Sequence, residues 1–312
     1  MISIIFGKTK PINYIIVLSF LFVFYWFAHF SLFERIYSLS QIFWKFFILS
    51  VLFFSVFVIN FIVKRNKVTG ANSFTILFYG LLMVVFPETL IDSNAIFCSF
   101  FLLLAMRRLI SIRSLKNIKF KIFDATIWIL VSSLFYDWAM LFLILVVAAI
   151  YFYEPKNIRN WLVPFAAIFT VLMIAECVLV LYGAPDFFVE HYKFEVSPSI
   201  TYFSYWGHST KLILFTLTTL VAGVLAFVKL GKSGFGRVIT MQLIGLSFIL
   251  GLVLNILLLS DNVYPVMVMF FPAAVFMTKY IESLRRANIK EIILMAAVII
   301  PFLVLTTSIA IK

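Results

Sequence analysis

Glu88 and Asp92 stand four residues apart in "VVFPETLIDSN", where two apolar runs meet. If a helix begins near Pro87, that spacing puts both carboxyls on one helical face. Such an acidic mouth can hold one carboxyl charged and its neighbour protonated, as acid–base chemistry on a sugar requires. The same pair also suits a helix N-terminus, where an acid solvates the exposed amides. Glu34 and Arg35 open the stretch "ERIYSLSQ", with His29 a turn and a half earlier. Their plainer alternative is an interfacial ion pair beside a satisfied histidine. Asp137, in "LFYDWAM", is either a site residue or a wet turn residue.

Glu176 is different, because it falls about six residues inside an apolar run. At about 1.5 Å per residue it lies roughly 9 Å down, where a lipid-facing charge costs up to about 3 kcal/mol. It is expected to face protein or water; a functional role, structural pairing and protonation all stay open. The segment "GAPDFFVEHYKFEVSPSITYFSYWGHS", 183–209, adds His191, Lys193 and Trp206 among many aromatics and acids. Aromatic faces with carboxylates suit sugar rings, and the same composition serves an interfacial aromatic belt. Within it "FFVEHYKF" could form a short helix lying on a membrane surface.

Other chemistries find no support. His29, His191 and His208 are the three histidines, without ligand spacing, so no metal site is expected. No HExxH, GxSxG, Walker loop or dinucleotide fingerprint occurs, and no cofactor is expected. Cys98 and Cys177 both fall inside apolar runs and suggest no disulfide framework.

The elements that carry these residues are set by composition. Apolar residues make up 64% of the chain and charged residues 12%, against roughly a quarter charged in a soluble domain. The expected fold is therefore all-α, a polytopic transmembrane helical protein. A hydrocarbon core of about 30 Å needs about 20 helical residues. Eleven runs qualify: 13–33, 43–63, 72–87, 93–109, 122–136, 138–153, 161–182, 210–228, 238–259, 264–281 and 290–310. The third and fifth are short and should rest on neighbouring helices or end in a thinned or wet region. Lys8 and Lys10 precede the first run with no small-residue cleavage site after it, so it reads as an uncleaved span.

With the N-terminus cytoplasmic, alternate loops hold twenty of the twenty-five Lys and Arg; Arg35, Lys45, Lys193, Lys211 and Lys312 fall outside. That bias is the positive-inside pattern, and it places the C-terminus in the periplasm. Nine of the thirteen acids, Glu88 and Asp92 among them, then lie at or near the outer face. The net charge of +12 is accounted for by these short basic loops, so nucleic acid is set aside as a partner and anionic membrane lipid is expected instead. The long outer segment divides the chain into a seven-span module, 1–182, an aromatic and acidic loop, 183–209, and a four-span module, 210–312. No matching pair of broken helices appears in two halves, which weakens a carrier reading based on Glu176.

Seven spans, a large outer loop and a smaller group of spans resemble the C-type membrane glycosyltransferases, the group of protein mannosyltransferases and lipid A aminoarabinose transferases. Locally, "FPETLIDSNAIFCSFFLLLAMRRL" is similar to the stretch of that family in which a Pro near an outer loop precedes an acid and a fourth helix ending in Arg. The resemblance implies a polyprenyl-phosphate sugar donor in the outer leaflet. It makes Glu34 the first-loop catalytic carboxylate, Glu88 and Asp92 the second outer acids, and Arg35 or Lys193 the lipid-phosphate ligand. The first outer loop here is about nine residues, where the family has a long loop with amphipathic helices. The start "GKTKPINYI" also resembles a family of polytopic inner-membrane proteins from Bacteroidota, which implies the bacterial inner membrane and no activity. Two functions follow as expectations: transfer of a polyprenyl-linked sugar at the periplasmic face, or a non-catalytic subunit beside other inner-membrane proteins in an envelope or secretion assembly.

Overall fold

The computed structural model describes residues 2–184, 186–195, 206–230, 234–258 and 263–310, and among these the ordered elements are helical, with no β-sheet. The order is α1 (Ile2–Phe6), α2 (Pro11–Phe27) continued by a π turn (Ala28–Leu32), α3 (Leu39–Arg65), α4 (Phe74–Val85), α5 (Glu88–Ile91) and α6 (Ser93–Ser111). Then come α7 (Ile118–Ser133), a 3-10 segment (Asp137–Phe142) running into α8 (Leu143–Tyr153), α9 (Ile158–Tyr182) and α10 (Phe187–His191). The chain closes with α11 (Trp206–Lys229), α12 (Phe235–Leu257), a 3-10 turn (Pro265–Met269) leading into α13 (Phe270–Ser283), and α14 (Ala287–Ala310). Each of the eleven apolar runs is helical. Eight helical segments among the described residues are long and apolar enough to cross a membrane. Phe74–Val85, Ile118–Ser133 and Asp137–Tyr153 are shorter.

Local chemistry sets the boundaries. Pro11 opens α2 at a position where its missing N–H costs nothing. Ser38 and Gln41 form a capping box at the start of α3, the Gln41 side chain accepting from the Ser38 N–H at 2.9 Å. Asp92 caps α6 and Asn157 caps α9. α9 ends at Gly183, whose φ of 71° is the left-handed conformation that lets Ala184 N–H reach back to Leu179 O.

Burial separates the helices into a centre and a periphery. α4, only about 18 Å long at 1.5 Å per residue, is buried on almost every side by α2, α3, α13 and α14. A helix that is apolar all round and enclosed by protein needs no lipid contact, so its short length is tolerated. α13 is similarly enclosed, and residues from both sides of the 183–209 segment contribute to one continuous buried cluster. Gly251 marks a close approach: a Cβ there would fall 2.8 Å from the Met269 side chain, so α12 can seat against the Pro265–Met269 turn. α9 lies at the other extreme, with only Asn160 and Ala167 buried among its described residues and contact mainly to α7 and α8.

Loop contacts sort the helix ends into two sets. At one end Glu282 accepts from Gly70 N–H and the Asn72 amide, both at 2.6 Å, Lys229 donates to Ser283 O, and Arg113 donates to Asn66 O. At the other, Lys211 meets Glu88 and Asp92 meets Tyr136 and Tyr264. The first set is dominated by Lys and Arg; we refer to it as the basic end and to the second as the acidic end.

Candidate functional site

Pro87 and the turn after α4 make the acidic end. α4 stops at Val85; Phe86, at φ −122° and ψ 67°, has left the helical region that a following proline disfavours, and the one-turn helix α5 carries Glu88. The expected common face for Glu88 and Asp92 does not form. Asp92 is extended at φ −77° and ψ 99° and is itself the cap of the next helix, so a break lies between the two acids.

Asp92 is saturated. One oxygen accepts from Asn94 N–H at 3.0 Å and Ala95 N–H at 3.2 Å, and the other from the Tyr136 hydroxyl at 2.6 Å and Tyr264 N–H at 3.1 Å. Four donors fill the roughly four lone-pair sites of a carboxylate, so an incoming hydroxyl would have to displace one. Lys45 lies alongside, its ammonium 3.4 Å from the Ser93 hydroxyl and 3.5 Å from Ile91 O. Glu88 pairs with Lys211 at 2.9 Å, with only 12% and 9% of the two side chains exposed. The pair ties α5 to α11 across 123 residues of sequence.

Asp137 has a comparable role in the next turn. Its two oxygens accept from Trp138 N–H at 2.7 Å and Phe194 N–H at 3.1 Å, holding the segment after α10 against the 3-10 segment. His191 and Tyr192 extend that seam: the imidazole Nε2 lies 2.8 Å from Ser133 O and the Tyr192 hydroxyl 2.8 Å from the Ser133 hydroxyl. Burial pushes the Tyr192 phenol above its ordinary value, the Ser133 hydroxyl opposes the shift and the Asp137 charge adds to it. α10 confirms a short helix in "FFVEHYKF", with Phe187 stacked on His191.

Other expected site residues stand apart. Glu34 and Arg35 are exposed in the loop after the π turn and form no ion pair with each other; Glu34 has φ 46°, an uncommon conformation for a residue with a Cβ. His29 is fully buried, its Nδ1 3.0 Å from Tyr25 O and its Nε2 without a partner among the described residues, so it is only half satisfied. Lys193 is exposed. Glu176 is exposed on α9 next to exposed Cys177, and none of the described residues covers it. The Trp206 side chain lies outside the described residues. No group of three or more metal-ligating side chains occurs among the described residues.

Lys45, Lys211, Tyr136 and Tyr264 organise this end, and spacing alone does not single them out. The available signal was a lone lysine at the start of two apolar runs. Comparison with known protein families, curated proteins and solved structures finds no match to this chain.

Proposed function

We propose that this chain is a non-catalytic, multi-pass subunit of a bacterial inner-membrane assembly, with its acidic end in the periplasm. The observation that carries this reading is how the acids are used. Glu88, Asp92 and Asp137 each bind donors of the same chain and tie helices together, while Glu176 lies on a helix face that the described residues leave open. A carboxylate toward lipid is costly, and a polar group of a partner helix would remove that cost. The basic loops at the opposite end support a cytoplasmic placement of that end.

The native cysteines provide the test. Cys177 is exposed one residue from Glu176, whereas Cys98 is buried. A maleimide-linked photo-crosslinker on Cys177 in native membranes should capture a discrete protein partner, and Glu176→Leu should reduce capture several-fold. Capture of lipid alone, unchanged by Glu176→Leu, would overturn the subunit reading.

Sugar transfer from a polyprenyl phosphate is the second reading, and Glu34 favours it: an exposed acid in a left-handed backbone, beside the turn that holds half-satisfied His29. It would act as the base that takes the proton of an acceptor hydroxyl, whose oxygen bonds to the anomeric carbon as polyprenyl phosphate leaves. Loss of transfer in Glu34→Gln, in membranes supplied with polyprenyl-phosphate sugars, is the outcome it requires.

A further inference from the structure

At the basic end, α3 and α6 terminate around a hollow of about 530 Å³. Six cations line it, Arg65, Lys67, Arg107, Arg108, Arg113 and Lys121, and among the described residues no acid lines it. Asp124 pairs with Arg108 at 2.9 Å from just outside the lining. Three further cations are steered by neutral groups. Arg113 donates to Asn66 O at 3.3 Å, Lys121 to Ser111 O and the Ser114 hydroxyl at 2.6 Å each, and the Arg107 guanidinium stands 4.8 Å over the Phe61 ring. These contacts aim the charges without neutralising them. Arg113 is also held from behind, since its side chain occupies the space where Gly236 would carry a Cβ.

The charge balance specifies the ligand. The C-termini of α3 and α6 each contribute about half a negative charge and the N-terminus of α7 about half a positive one. With Asp124, this still leaves the equivalent of about four and a half positive charges around one hollow. An anion with at least two charges fits that excess better than a singly charged one.

The apolar side specifies its source. Phe54, Phe57 and Phe61 lie at the i, i+3 and i+7 positions of α3, and all three are exposed. They form an aromatic stripe that runs along the helix flank and ends at the hollow through Phe61. A soluble phosphate would use only the cations. A phospholipid would use both features, its acyl chains on the stripe and its phosphates among the arginines and lysines.

The geometry points to a binding site for a phospholipid whose headgroup carries two phosphates, seated between the end of α3 and the 107–121 loop. This site is independent of whether the acidic end is catalytic or structural.

Native mass spectrometry of the full chain tests it, in detergent containing equal tetraoleoyl cardiolipin and dioleoyl phosphatidylcholine. The expected result is one cardiolipin retained per chain, at least tenfold in preference to phosphatidylcholine. Arg65→Gln with Lys67→Asn should abolish that preference, while Lys156→Gln, an exposed control at another loop, should leave it intact. Arg65 and Lys67 are exposed, so the double variant should keep the wild-type melting profile, which checks its fold. Phe61→Ala separates the sources: it should weaken cardiolipin retention while leaving any binding of inorganic pyrophosphate unchanged. Pyrophosphate bound in an Arg65- and Lys67-dependent way with no cardiolipin preference would overturn the lipid assignment in favour of a soluble phosphate. Equal retention of the two lipids with no pyrophosphate binding, or full cardiolipin retention by the folded double variant, would overturn the site altogether.

Discussion

The two ends of the helix bundle handle charge in opposite ways. At the acidic end, Asp92 is enclosed by four donors and Glu88 is paired with a nearly buried lysine, so each carboxylate is matched by its own chain. At the basic end, six cations surround a hollow; Arg108 pairs with Asp124, while Arg113 and Lys121 are held by neutral acceptors and Arg107 by the Phe61 ring. The difference separates structural charge from charge available to a ligand. A buried ion that is fully partnered fixes the fold, whereas a like-charged cluster around open space leaves an electrostatic excess for another molecule to offset.

Substitutions should fall unequally on the two ends. The largest effect is expected from Lys211→Met, which removes the ammonium from Glu88 in a nearly buried site and should cost about 3 kcal/mol in thermal or chemical unfolding. Replacing both members, Glu88→Met with Lys211→Met, should recover most of that loss; if the double variant is no better than the single, the pair is not what joins α5 to α11. Asp92→Ala comes next, at about 2 kcal/mol, because it removes an N-cap and leaves the Tyr136 hydroxyl and Tyr264 N–H without their acceptor. Tyr136→Phe should cost about half as much.

A smaller effect is expected in alkali. The folded state raises the Tyr192 phenol above its unfolded value near 10, so its contribution is complete below about pH 10 and is lost as pH rises through the folded value. Tyr192→Phe should flatten the alkaline fall in stability, measured by denaturant unfolding across that range. Smallest of all should be Arg65→Gln with Lys67→Asn, within about 0.5 kcal/mol of wild type in stability. A large destabilisation there would make the basic end structural and erase the contrast.

Much of the fold is readable from local pattern. Each of the eleven apolar runs is a helix, and Pro11, the Ser38/Gln41 box, Asn157 and Gly183 mark boundaries by chemistry confined to a few residues. The use of the acids is not readable in that way, because their partners are remote: Lys211 is 123 residues from Glu88 and Tyr264 is 172 from Asp92. The i, i+4 spacing of Glu88 and Asp92 suggests a common face only if one helix contains both. The competing propensity of Asp to cap a helix places Asp92 at a start instead. For the basic end, the 107–121 cluster is visible as a charge run. Its meeting with Arg65, Lys67 and the exposed aromatic stripe on α3 depends on packing between helices, which no local pattern encodes.

Carbodiimide labelling of the native protein in detergent, followed by peptide mass spectrometry, tests most directly whether the acidic end is structural. The arrangement described here predicts that Glu34 and Glu176 are modified readily while Glu88 and Asp92 stay protected until the chain is unfolded. Modification of Glu88 and Asp92 at the rate of Glu34 would show an open acidic mouth and contradict it.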